Sequence, residues 1–366
     1  MSNRNLQLRG YIPPTAPLNW EPVTGDEPPL RVGFSFTINW FHKRIGIDYS
    51  ERYHSDPEYR YECLKKMKAH IAESFPDSAY YKEHGENECA TLSGVHGVCL
   101  VAMLYGLRPT YYANNWPGIS PEEHLGVDQI KALKPFDLNN APVVRQLFEQ
   151  MDTIYKNWGL IDGYLNYQGV LNNAFKIRGT DIFSDMIEDS GLVHFLFEHI
   201  TDTMINLIHM IQRRQRESGF QTNSFCTSNC VVNMISQRTY KEFVLPYDLR
   251  LSKAFERFGV HTCNWVVDPY IDALREIDNV GYIDFGSKSD LGRIRRLFPS
   301  SRRHVFYSAA NLANKSPDEQ EADIRNIYEV LGDCDLSIPD IEVTVPDESI
   351  NNFLSMTERV MKEQGH

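Results

Sequence analysis

Apolar residues recur at helical spacing over Ser190–Glu217, where Val193, Phe197, Ile200, Met204, Leu207 and Ile211 fall on one side. Ser190 is a suitable N-cap for that helix. Residues 236–259 predict a second helix, opened by Ser236, closed by Gly259 and kinked at Pro246. Beyond it, short apolar runs alternate with helical periods. A strand near residue 260 precedes a helix from Asp268, and the strand VGYIDFG precedes a helix from Asp290. The strand HVFYSAAN then leads to a helix opening SPDE, where Ser316 and Glu319 form a capping box with Pro317 at the first helical position. A last apolar run reaches Cys334, and a helix over 347–364 follows it. In the first half, 56–75 and 141–159 read as helices, and LIDGYLNY reads as a strand.

Strands that alternate with helices imply a parallel sheet with crossover connections. Neither a G-x-G-x-x-G turn nor a G-x-x-x-x-G-K-[ST] loop is present. The fold class expected is therefore α/β, a (β/α)8 TIM barrel, and the 366 residues suit one large barrel with insertions. Residues 30–366 form the barrel domain in this reading, and the proline-bearing residues 1–29 an N-terminal extension that wraps it.

Composition narrows the partners. With 42% hydrophobic and 23% charged residues the chain can bury a full core. A net charge of −12 leaves no basic surplus to neutralise phosphates, which argues against nucleic acid. The basic clusters RRQR and RIRR sit in helical segments that also carry acids, as solvated helix faces do. The N-terminus shows no apolar signal core, and no stretch is long enough to span a bilayer. A cytoplasmic protein is expected, with its seven cysteines reduced.

The stretch FGVHTCNWVVDPY places His261 and Cys263 two positions apart near a strand end, where i and i+2 face the same way. Barrel chemistry gathers at the C-terminal ends of strands. Cys334, in LGDCDLSIPD, reads as the end of a later strand and would complete a Cys₂His set with an open fourth position, a catalytic zinc arrangement. Taken alone, each residue also has a bland reading: a lone cysteine is a small buried hydrophobe, and a lone histidine is satisfied by a carbonyl. Other residues could line the same mouth as substrate contacts or simply pack loops. They are Tyr164, Asn166, Tyr167 and Gln168; Tyr112, Asn114, Asn115 and Trp116; and Asn39, Trp40 and His42. Lys288, Tyr307 and Ser308 are further candidates.

The segment MISQRTYKEFVLPYDLRLSKAFERFGVHTCNW resembles the uroporphyrinogen decarboxylase superfamily, with EF-x-LPY inside its helix. H-x-C followed by a distant cysteine is similar to the zinc-dependent corrinoid methyltransferase branch, which includes methylcobamide:coenzyme M methyltransferases and O-demethylase enzymes. The resemblance extends from about Pro29 onward. It implies a (β/α)8 barrel with zinc on His261, Cys263 and Cys334. It also implies methyl transfer between a small methylated ether, amine or thiol and a corrinoid (cobalamin) carried by a partner protein. Two features depart from the branch. Asn264 and Trp265 stand where glycine usually follows the first cysteine. FCTSNCVVNMIS holds Cys226, Ser228, Asn229 and Cys230 where many relatives carry an acid. The C-x₃-C pair Cys226 and Cys230 reads first as packing, although it could add a ligand. A rival reading is a decarboxylase acting on a tetrapyrrole, but the N-terminal region has only Arg31 and Lys43–Arg44 and lacks that enzyme's arginine motif. A zinc-holding or corrinoid-docking protein without turnover is the reading from another class.

Overall fold

The computed structural model describes residues 8–11, 29–75, 89–220, 222 and 224–363. Its centre is one parallel sheet. The strands are β1 (Leu8–Tyr11), β2 (Leu30–Phe36), β3 (Ser224–Ser228), β4 (Arg257–His261), β5 (Val280–Gly286), β6 (Arg302–Phe306) and β7 (Cys334–Ile341). They lie in the order β1-β2-β7-β6-β5-β4-β3, so β3 to β7 neighbour one another in sequence order and β7 turns back onto β2. All these pairs are parallel. The sheet is not closed among the described residues. In the stretch of chain between β2 and β3, the described residues form one isolated parallel bridge, Thr91↔Asp162. The segment LIDGYLNY, expected as a strand, contributes only that bridge. The expected extension over 1–29 lies mostly outside the described residues, within which Leu8–Tyr11 adds the edge strand β1.

Helices cross over between the strands. The longer ones are α1 (Pro57–Ser74), α2 (Pro142–Trp158), α3 (Val170–Arg178), α4 (Ser190–Glu217), α5 (Leu245–Ala254), α6 (Pro317–Leu331) and α7 (Asp347–Glu363). α4 buries Val193, Phe197, Ile200, Met204, Leu207 and Ile211, the expected stripe. Its cap is Asp189, one residue earlier than expected, because that carboxylate accepts from the Leu192 N–H. The capping box on Ser316 and Glu319 opens α6 as predicted. No described helix is long and apolar enough to cross a membrane.

Two boundaries differ from expectation in ways that matter for the site. The helical period through Pro246 divides into a π-helical turn, Tyr240–Val244, and α5, which ends at Ala254. Gly259 is not a helix stop but the middle of β4, where a Cβ would come within 3.0 Å of the Cys226 sulfur. Close approach of the neighbouring strand therefore requires the glycine. Cys334 is the first residue of β7, not its end.

The inward side of the sheet is polar at its N-terminal end. Asp335 receives Arg31 at 2.9 and 2.5 Å and Arg302 at 2.9 and 2.6 Å, all three side chains being buried. Burial would raise the Asp335 carboxyl, but the two guanidiniums outweigh it and hold the group at about 2. One strand-step on, His304 bonds Ser337 at 2.5 Å and contacts the Tyr282 hydroxyl, and burial pushes its imidazole down to about 3. The Asp335 cluster ties β2, β6 and β7 together through charges that have no water to fall back on. We predict that Asp335→Asn lowers stability by about 3–5 kcal/mol, because it removes the carboxylate on which both guanidiniums converge. The depressed pKa means that the contribution persists above the ordinary carboxylate range and fades only as the pH falls through about 2. Urea unfolding at neutral pH checks the loss; a midpoint equal to wild type would show that the cluster adds nothing net.

Candidate metal centre

At the opposite, C-terminal end of the strands, β3 and β4 pair in a register that sets Ser228 beside His261. Two residues beyond each of these stands a cysteine. Cys230 begins a 3₁₀ turn, Cys230–Met234, and Cys263 lies in the loop that leaves β4. The two sulfurs are 2.7 Å apart, and Cys263 Sγ is 3.1 Å from His261 Nε2. Among the described residues these three form a group whose donor atoms all lie within 4.8 Å of one another, near enough to share a metal ion.

The juxtaposition of His261 and Cys263 was expected from strand alternation, but the structure produces it differently. β4 ends at His261, and Cys263 has φ 57°, in the left-handed region that non-glycine residues seldom occupy. A left-handed turn, rather than the pleat, folds the thiol back over the imidazole. Such conformations persist only where the surroundings over-determine them, and they concentrate at functional sites.

The imidazole is aimed by a buried carboxylate. His261 Nδ1 donates to Asp284 Oδ2 at 2.6 Å, which leaves Nε2 directed at the thiols. Asp284 is itself held, since its other oxygen accepts from the Thr262 N–H at 2.7 Å and its carbonyl accepts from the Thr262 hydroxyl at 2.7 Å. Ligating histidines are held this way by an acceptor on the far ring nitrogen, which fixes the tautomer. Burial depresses the His261 imidazole, but Asp284 and the two cysteines outweigh it and raise its pKa well above the usual value. The bond between the two thiols pulls the Cys230 pKa down most, and His261 adds to the effect against burial. The same bond and burial raise Cys263.

Cys334 does not belong to this group. It is the first residue of β7, opposite Leu30 and Arg303 at the N-terminal end of the sheet, and burial pushes its thiol up to about 12. The expectation that it completes the ligand set is corrected by strand direction: the apolar run before Cys334 is helix, and the strand starts where the run was read as ending. Six residues on, near the C-terminal end of β7, stands Asp340, also left-handed at φ 56°. Its carboxyl, raised first by desolvation, feels the charges of His261 and Cys230.

The third member of the group is Cys230, for which the C-x₃-C spacing favours packing over a ligand role. The available signal was its offset: Cys230 and Cys263 each fall two residues past paired strand ends. Cys226 lies within β3 against Gly259 and outside the group.

The expected substrate contacts divide. Asn166 accepts from the Gln168 amide at 2.6 Å, Asn172 donates to Gln168 at 2.9 Å, and the Asn172 carbonyl accepts from the Val231 N–H at 3.0 Å. Asn172 also reaches the Cys230 thiol and lowers its pKa. Asn166 and Gln168 thus connect to the cysteine turn through α3. Tyr167 is buried against Phe225, and Tyr164 packs on Phe220 with its N–H on Ser93. Tyr112, Asn114, Asn115 and Trp116 lie on an exposed loop, and Asn39 bonds Glu342 at 3.3 Å. Trp40 is core, His42 bonds the Ile47 carbonyl, Tyr307 bonds Asp323, Ser308 caps a helix and Lys288 is exposed.

No protein-family model matches the chain, and no curated protein matches it in sequence. Solved structures do match in fold. A methyltransferase from Methanosarcina mazei aligns over 94% of this chain and 96% of its own, with TM-score 0.59 and 14% identity. A B12-independent methionine synthase from Shewanella sp. W3-18-1 aligns over 90% of this chain and 98% of its own, with TM-score 0.44 and 11% identity. The likeness to the Methanosarcina protein, at 14% identity, is one of fold.

Two thiols and an imidazole are the donor types that bind thiophilic divalent ions, and three protein ligands leave a position open. Cys230→Ser and Cys263→Ser are each expected to abolish tight binding of a divalent transition metal, while Cys334→Ser retains it. Equilibrium dialysis with metal analysis distinguishes them; loss of metal in the Cys334 variant alone would reverse the assignment.

Proposed function

We propose that the chain is a zinc-dependent methyltransferase that moves a methyl group between a small methylated substrate and a corrinoid carried by a partner protein. The observation that carries this reading is the Cys230–His261–Cys263 group at the mouth end of β3 and β4, with His261 held by Asp284. It is supported by the fold shared with the Methanosarcina methyltransferase and by the resemblance of the segment around His261. In this reading the strands β2 to β7 and the two segments joined at Thr91 and Asp162 are the eight positions of a (β/α)8 barrel. Strand ends meet at one mouth in such a fold, where a bulky macrocycle on another protein can approach.

Cys230, Cys263 and His261 Nε2 would hold the zinc. When bound, the ion would supply Lewis acidity to the heteroatom that carries or receives the methyl group. The residues of the chain do the rest. Asp284 keeps the His261 proton on Nδ1, so that Nε2 offers its lone pair outward. Two thiolates would offset the ion's charge, leaving a near-neutral centre on three half-buried side chains. Asn172 supports the more acidic thiol, Cys230, from the side of α3.

A decarboxylase acting on a tetrapyrrole gains nothing from this arrangement. Arg31, one of the few N-terminal cations available to it, is committed to Asp335 inside the sheet. A docking protein without turnover would bind the ion and the corrinoid protein but catalyse nothing.

Protein purified without chelator is expected to hold about one zinc per chain. With a corrinoid carrier protein reduced to cobalt(I), a panel of methylated ethers, amines and thiols should give the absorption change of cobalt methylation, and Cys263→Ala should abolish it. Full activity in metal-free protein, or release of CO₂ from uroporphyrinogen that survives Cys263→Ala, would overturn the proposal.

A further inference from the structure

Asn229 stands between the two turns that carry the cysteines. Its N–H donates to the His261 carbonyl at 2.8 Å, and its own carbonyl accepts from Val232 at 3.0 Å, closing the turn that begins at Cys230. The side chain is held from two directions. Asn229 Nδ2 donates to Asp248 Oδ2 at 2.8 Å, and the Thr227 hydroxyl donates to Asn229 Oδ1 at 3.3 Å. There is no slack around it, since a Cβ placed on Gly169 would lie 2.2 Å from Asn229 Oδ1.

Asp248 is fully buried on α5 and accepts a second bond on the same oxygen, from the Tyr240 hydroxyl at 2.9 Å. Tyr240 belongs to the π-helical turn Tyr240–Val244, a local widening of the helix of the kind that recurs at functional sites. The turn sets the Tyr240 hydroxyl and the Asn229 amide on one carboxylate oxygen. Burial raises the Asp248 carboxyl to about 7, and its Oδ2, accepting from both donors, fixes which way the Asn229 amide faces. Its other oxygen, Oδ1, is buried with no hydrogen-bond partner, which makes the group costly to keep by burial standards alone.

We propose that Asp248, acting through Asn229, is the positioning residue that fixes the Cys230 turn against the His261–Cys263 turn. The proposal rests on the reading of those three side chains as metal ligands. Asp248 touches none of them. It holds the backbone at the junction from which both turns depart, so its loss should loosen the spacing of the donors without removing any donor.

Cobalt(II) serves as the probe, added to the full-length protein after removal of bound metal. Thiolate-to-cobalt charge transfer reports the sulfur ligands, and the ligand-field bands report their geometry. Wild type should show both; if it binds no cobalt, the metal reading itself fails and this inference falls with it. Given wild-type binding, Asp248→Ala should weaken cobalt affinity about tenfold and shift the ligand-field bands. Asp248→Asn, which keeps an oxygen for both donors, should restore the wild-type spectrum. Circular dichroism reports whether each variant is folded. Should Asp248→Ala fail to fold, Asn229→Ala removes the amide through which Asp248 acts, leaves both backbone hydrogen bonds of Asn229 available, and should give the same band shift. Unchanged affinity and bands in the folded Asp248→Ala variant, or in Asn229→Ala where the former does not fold, would overturn the proposal.

Discussion

Parallel pairing of β3 with β4, in the register that sets Ser228 opposite His261, determines most of what this molecule can do. Parallel strands end on the same side of a sheet, so whatever each chain segment carries just past its strand is brought to one place. Here both segments carry a cysteine at the same offset. The register converts residues far apart in sequence into sulfurs in contact. A slip of one residue would turn every side chain of β4 to the other face and send His261 into the helical layer. The aromatic and aliphatic residues that bury β3 and β4 on their outer side, Phe225, Phe258 and Val260 among them, therefore act on the chemistry by holding that register.

The inward side of the sheet has two electrostatic regimes. At the N-terminal end, Arg31, Asp335 and Arg302 satisfy one another and close the interior with charge. At the C-terminal end, Asp284, His261 and the two cysteines form one hydrogen-bonded chain, from carboxylate to imidazole to thiol to thiol. His304 and Phe306 lie between, their rings stacked at 4.8 Å, with Phe306 edge-on to His261 at 5.4 Å. The first cluster pairs opposite charges within the sheet; the second gathers two sulfurs and an imidazole nitrogen at the strand ends.

Much of this was legible in the chain, and what was not has specific causes. Helical periods and caps carry their own local signal, so α4, α6 and the strand VGYIDFG stand where periodicity placed them. Strand ends carry less. The run before Cys334 is apolar whether it is the buried side of α6 or a strand, and periodicity over so few residues cannot separate the two. That ambiguity moved Cys334 to the wrong end of β7. Pleating alone predicts the pair His261 and Cys263, although a left-handed residue brings them together. Cys230 reads as packing before it reads as a ligand, because its partner is set by strand register, a property of two segments and invisible in either. Asp284 lies inside an ordinary-looking strand, and nothing local marks it as the group that aims His261.

The three side chains come from a single strand junction, at the C-terminal ends of β3 and β4. The ends of β2, β5, β6 and β7 contribute none of them. Loops at those ends can change length and chemistry by mutation while the cysteine–histidine group stays intact, because none of its side chains travels with them. The variable and the fixed parts of this end of the sheet are thus carried by different segments of the chain.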